Sequence, residues 1–465
     1  MSRAARPETL WAAGPALDRR MLEYAVGDDR TWDARLLRWD VLGSLGHIEG
    51  LRASGLLSAA DHRLLRRGLR GALSALEANR LRIGAEHEDA HSAVEAWLTR
   101  RAPGAGERLH TGRSRNDQIA CDLRLFLKDR LLALHAGALD LVDALLAFAR
   151  RHQRVLWPGY THQRRAMPSS VGLWALGYAE GILDAAESLP GLWAQVDRSP
   201  LGSAAGYGVP LPLRREVAAR ALGFGAVEHA VTAVQSGRGK LEAAALFWCA
   251  QAGHDAAKLA CDVSLLSAEE FGFLVLPPEL ATGSSIMPHK RNPDLFELTR
   301  ARVAAVEGDL AAVLRIRAGL PGGYHRDFQL LKEPLMRGLD RTADLLAALT
   351  HALPRLGVDR ARCAAALGGA ALATDEVMRR VEAGRAFRLA YREVAAALEA
   401  GESFPEPAPA RLAARRRSAG GVGNLGLPAV RARARRARAW AARERRRFDA
   451  AMARLAGPRR RRTRR

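Results

Sequence analysis

The chain has 465 residues, 48% of them hydrophobic and 26% charged. That excludes a disordered chain, a collagen-like repeat and a disulfide mini-protein, and the length suits two or three domains. The net charge of +22 is uneven: residues 411–465 hold 20 arginines against Glu444 and Asp449, while residues 1–410 carry 52 basic and 48 acidic side chains.

The basic excess belongs to the tail, so a nucleic-acid partner is not expected. No aromatic pattern for stacking on bases accompanies the arginines, which fit a C-terminal helix with a solvated end. Four cysteines (Cys121, Cys249, Cys261, Cys363) show no ligand or disulfide spacing and read as buried thiols in a reducing compartment. With no signal-like or spanning segment, the expectation is a cytoplasmic protein without a membrane partner.

In chain order, the helical signal dominates. Residues 122–153 carry Leu127, Leu131, Leu134, Ala138, Leu141, Leu145 and Phe148 at spacings of three and four, one apolar stripe on a long helix. Further helices are predicted over 169–196, 240–271 and 295–318, and from about 334. Strand signals are sparse. The expected fold is all-α, with a central bundle of long helices. The predicted divisions are an N-terminal helical domain (1–110), a central helical-bundle domain (111–360) and a C-terminal helical domain (361–465) with an Arg-rich tail from 411. The proline-rich stretch from Phe404 to Pro409 reads as a linker or turn.

Polar residues collect in the connections. The segment from Gly104 to Gln118 includes HTGRSRNDQ, whose Arg113, Ser114, Arg115 and Asn116 directly precede the long helix. A helix N-terminus with two arginines suits a dicarboxylate, and an N-cap with Asp117 in the first turn is the alternative. In the loop Trp157–Pro168, His162 is a natural acid or base and Thr161 stands beside it. The loop Ala281–Pro293 reads ATGSSIMPHKRNP, with a glycine, two serines, Lys290 and Asn292. Such a loop converges donors on an anion, whereas Asn292-Pro293 alone reads as a helix cap and first helical residue. Between Gly319 and Pro334 lie Tyr324, Gln329 and Lys332, the last two on one helical face. The one GxGxxG, from Gly421 to Gly426, follows no strand. No GxxxxGK[ST], HExxH or GxSxG occurs, so no nucleotide cofactor or metal is expected.

These motifs resemble the fumarase/aspartase lyase superfamily. Gly283 to Pro293 matches its signature GSSxMPxKxNP at every specified position. His110 to Gln118, Pro158 to His162, Glu88-Asp89-Ala90-His91, and Ser199 to Ser203 look like the argininosuccinate lyase versions, as does, weakly, Leu10 to Gly14. The resemblance runs from about residue 10 to about 425. It implies an all-α homotetramer with a 20-helix core and active sites shared between chains. It implies a cofactor-free β-elimination that cleaves argininosuccinate to fumarate and arginine. Ser284 and His162 would be catalytic, with Ser284 as base and His162 as acid, or the reverse. Arg113, Ser114, Arg115, Asn116, Thr161, Arg238, Lys290, Asn292, Tyr324, Gln329 and Lys332 would bind substrate.

Departures cluster near the amine end. Asp29 stands where the family carries a serine, Arg164 and Met167 replace glutamines, and Leu330-Leu331 replaces an acidic pair. They raise the alternative of a sister lyase releasing fumarate from another N-succinyl amine. A non-catalytic structural protein on the same scaffold is a more remote alternative.

Overall fold

Stripes of leucine and alanine must be buried, and nine main helices do so in the computed structural model of the chain, which describes residues 18–404 and 408–458. They are α1 (Leu37–Ala53), α2 (Ala59–Glu77), α3 (Ala90–Thr99), α4 (Arg115–His152), α5 (Val171–Val196), α6 (Lys240–Leu266), α7 (Asp294–Ile316), α8 (Lys332–Ala352) and α9 (Leu427–Ala456). Further helices, among them Ala373–Glu382 and Phe387–Glu399 between α8 and α9, and 3-10 turns fill the connections. Among the described residues the longest strands are β1 (Leu156–Thr161) and β2 (Arg164–Ser170), an antiparallel hairpin. The expectations for Leu10 to Gly14, Pro405 and Pro407, and the last seven residues lie outside the described residues.

The predicted stripe of α4 is buried throughout, from Leu127 to Phe148. Burying each such leucine is worth about 1.5–3 kcal/mol. The helix is long and apolar enough to cross a membrane, yet 61% of its most apolar window is buried inside the protein. It begins seven residues earlier than expected because Ser114 is its N-cap. The Ser114 hydroxyl accepts from Asn116 N at 3.2 Å, and Asp117 Oδ1 accepts from Ser114 N at 3.0 Å. The polar run is therefore the first turn of the helix, not a loop before it. Two further expectations are corrected. The cap of α7 is Pro293, with no side-chain cap bond, and the helix starts at Asp294. Cys261 is exposed, while the other three cysteines are buried.

Helix direction positions the site. Arg130 pairs with Asp340 at 2.8 Å near the middle of α4 and of α8, and Arg151 reaches Pro354 O at their ends. The two helices run the same way. Arg302–Asp344 and Arg337–Asp309 pairs place α7 antiparallel to α8. The start of α7 therefore lies at the end of the bundle where α4 finishes.

Candidate active site

At the end where α4 begins, ion pairs gather several predicted residues. Arg115 Nη1 lies 3.0 Å from Glu88 and 2.9 Å from Asp89. Arg326 pairs with the other oxygen of Glu88 at 3.2 Å. Lys332 Nζ is buried between Asp29 and Asp33, 2.6 Å from each. Burial opposes its charge, but Asp33 and Asp29 hold the ammonium above its usual range. Gln329 also donates to Asp29. Burial raises the Asp29 carboxyl despite the lysine beside it.

The remaining cations there also have internal partners. Arg113 is buried and donates to Ser44 at 2.9 Å. Arg238 is buried, bonds Glu242 at 3.1 Å and lies over the Phe328 ring. Of the two arginines expected to suit a dicarboxylate, Arg113 uses Nη1 on Ser44 and Arg115 uses Nη1 on Glu88 and Asp89. Tyr324 is half-buried against Phe328. Ser114 and Asn116 occupy the capped first turn.

At the opposite end stand the other two motifs. His162 and Gln163 both have positive φ, 52° and 58°. They form the two-residue turn between β1 and β2, the geometry of a tight hairpin. Two non-glycine residues in this region carry strain, a mark of functional turns. The turn lifts His162 and Thr161 into solvent. Behind it, Tyr160 packs on Phe271 and Trp157 on Phe273.

The signature loop is itself a small hairpin. Thr282 pairs with Asn292 and Gly283 with Arg291. Ser284 Oγ accepts from Met287 N at 3.1 Å and from Ile286 N at 3.4 Å. Two backbone N–H groups aimed at one hydroxyl oxygen favour its alkoxide. Lys290 is exposed, as are Ile286 and Met287.

The chain therefore presents two candidate half-sites. Ser114, Asn116, Tyr324, Gln329, Lys332 and Arg238 gather at one end, and His162, Thr161, Ser284, Lys290 and Asn292 at the other. With 38 residues in α4, the ends lie about 57 Å apart.

A buried cluster lies beneath the first half-site. His91 Nδ1 is 3.3 Å from Asp40 and 3.8 Å from Asp122. Burial opposes the imidazolium, but Asp40 raises its pKa to about 9. Burial, then Asp40, pushes the Asp122 carboxyl well up. His91 was legible in the Glu88–His91 motif, whereas Asp40 and Asp122 carry no local signal. Asp117 was also missed as an organiser: its Oδ2 accepts from Gly202 N and Ala204 N, fastening the segment after Ser199 to α4.

The sequence profile of the family described as "Lyase" matches residues 51–308. An argininosuccinate lyase of Sorangium cellulosum is 45% identical over 90% of this chain and 96% of its own length. The chain belongs to the argininosuccinate lyase family. Another such lyase, of Stenotrophomonas maltophilia, is 39% identical over 92% of this chain and 98% of its own. Among solved structures, an EDDS lyase with formate aligns at TM-score 0.80, with 22% identity and 95% of each chain covered. A class II fumarase from Schistosoma mansoni aligns at 0.71, with 16% identity, over 82% of this chain and 89% of that one. These structural likenesses establish the all-α fumarase/aspartase-type fold.

Proposed function

We propose that this chain cleaves argininosuccinate to fumarate and arginine by β-elimination, without a cofactor, as a soluble cytoplasmic enzyme. The observation that carries the reading is the 45% identity to an argininosuccinate lyase across nearly its whole length, with the Gly283–Pro293 signature intact.

The roles follow from the chemistry. Ser284, as alkoxide, takes the proton from the carbon beside a carboxylate. The electron pair moves into that carboxylate, which then carries two negative charges. Lys290, Asn292 and Ser114 hold it. The C–N bond breaks as the fumarate double bond forms, and His162 gives its proton to the departing nitrogen. The two N–H donors on Ser284 Oγ support this direction over the reverse. Asn116, Thr161, Tyr324, Gln329 and Lys332 hold the rest of the substrate. Arg113, Arg115 and Arg238 act behind them, by positioning.

One chain cannot bring its two half-sites together across about 57 Å. We infer a homotetramer in which each site takes its loops from different chains. The exposed apolar tip of the signature loop, Ile286 and Met287, supports a neighbouring chain covering it.

The test is fumarate release from argininosuccinate, followed by ultraviolet absorbance. Rapid release establishes the reading; a folded tetramer that releases none overturns it.

A second reading is favoured by one observation. Asp29 and Asp33 saturate Lys332, leaving less attraction for a carboxylate on the amine product. It is a sister lyase acting on a different N-succinyl amine. Asp29→Ser frees part of the lysine. It is expected to lower KM severalfold for an N-succinyl amine bearing a carboxylate on its amine half, about 1 kcal/mol of binding, and to leave one without it unchanged. Equal effects on both substrates would separate Lys332 from the substrate.

A further inference from the structure

The arginines of α9 divide into two groups. One group faces the bundle. Arg433 pairs with Glu180, Asp184 and Glu187 on α5. Arg438 pairs with Asp140 and Asp143, and Arg445 with Asp129, all on α4. Arg447 reaches Asp197. These pairs dock α9 along the two long helices.

The second group is different. Arg435, Arg436, Arg443, Arg446 and Arg454 are exposed. At about 100° per residue they share one arc of about 100° on the helix. Val430, Phe448, Met452 and Leu455, all buried, lie on the opposite side. Among the described residues, no carboxylate pairs with these five guanidinium groups. The one exposed acid on the helix near them, Asp449, is paired with Arg445. From Arg435 to Arg454 the stripe is about 28 Å long, against a duplex bearing one phosphate charge per about 1.7 Å of axis. In sequence it leads to six more arginines among residues 459–465.

We propose that the outward stripe of α9 is a docking surface for the phosphate backbone of nucleic acid, without sequence preference. Like charges aligned on one rigid face repel each other, and a polyanion relieves that repulsion while releasing its counterions. Guanidinium groups suit phosphate oxygens because they donate in pairs. The two aromatic residues between these arginines, Trp440 and Phe448, pack inward on Trp193 and Trp39, which fits backbone contact and argues against base stacking. This departs from the expectation drawn from the sequence, which did not separate paired from unpaired arginines. It is independent of the lyase reading.

The test uses the full-length protein with a fluorescent 24-base-pair DNA duplex and an RNA hairpin, measured by polarisation between 50 and 300 mM salt. Binding at low salt is expected, with log K falling against log salt at a slope of about −4 to −5 for five phosphate contacts. Replacing all five arginines by glutamine should weaken binding at least tenfold and flatten the slope. The thermal midpoint and fumarate turnover of that variant report whether it is folded. A second variant ending at Pro458 retains the stripe and should retain binding that the glutamines remove. Preference for either nucleic acid supports the proposal. It is overturned if neither binds at 50 mM salt, or if the glutamine variant binds as the parent does. Tighter binding to phosphatidylserine vesicles than to either nucleic acid also overturns it.

Discussion

Ser284 is the base in the proposed elimination. Its oxygen is held by two backbone donors in an otherwise open loop. Ser284→Ala removes the proposed base and leaves the hairpin of Thr282–Gly283 with Arg291–Asn292 untouched. Turnover is expected to fall by at least about a thousandfold, with an unchanged thermal midpoint. Unchanged turnover would sink the mechanism. His91 is the contrasting case, a buried charge with no route to the substrate. Its pKa is about 9 in the folded chain against 6.5 for an ordinary histidine. Its contribution is therefore fully present below pH 6.5 and lost as pH rises toward 9. The thermal midpoint should decline across that window. In His91→Asn it should start lower and decline less, because the titrating group is gone. Parallel decline in both proteins would place the responsible group elsewhere. Lys128 is wholly buried, bonds Asp197 and Gly223 O, and is structural.

The helices were legible because their signal is long and repeats. Seven apolar positions in α4 outweigh any local ambiguity, and five predicted helices match to within a few residues at most ends. The start of α4 was not legible. Arg115 to Gln118 are polar, and polar side chains read as loop whether they precede a helix or cap it. The β1–β2 hairpin was hidden for another reason. Pro158, Gly159 and Pro168 interrupt the alternation that marks strands, and His162-Gln163 lacks the Asn-Gly usual for its turn. The motif loops were visible as unusual residue sets. Their internal neutralisation was not, since Lys332 and Asp33 are 299 residues apart. Close helix crossing is equally invisible in sequence. A Cβ on Gly172 would lie 2.6 Å from Gln153 Cα and 2.9 Å from Ala149 O, where α5 starts against the end of α4. Both neighbours are backbone and cannot swing aside. Gly172→Ala is expected to cost about 3 kcal/mol and to lower the thermal midpoint by several degrees. An unchanged midpoint would mean that the two helices separate freely. Because the hairpin bearing His162 hangs between them, turnover should drop as well.

At the scale of the molecule, the proposed pairing of two half-sites from different chains would make catalysis a property of the assembly. Asn116 stands at one end of α4, and the Ser284 loop lies at the other. An Asn116→Ala chain damages the first half-site and keeps the second. A Ser284→Ala chain does the opposite. Each variant alone has every site damaged, and both should be nearly inactive. In mixed tetramers some sites receive an intact first half from one variant and an intact second half from the other. Random assembly gives up to about a quarter of sites in that state, so recovered activity should approach about a quarter of the parent's. The measurement is fumarate release after the two proteins are co-expressed, or dissociated and reassembled together. Simple mixing without exchange serves as the control. If each site were instead built within one chain, the hybrids would contain no intact site and would stay inactive. Recovery thus depends on sharing between chains, which the length of α4 demands of any chemistry joining Asn116 to Ser284.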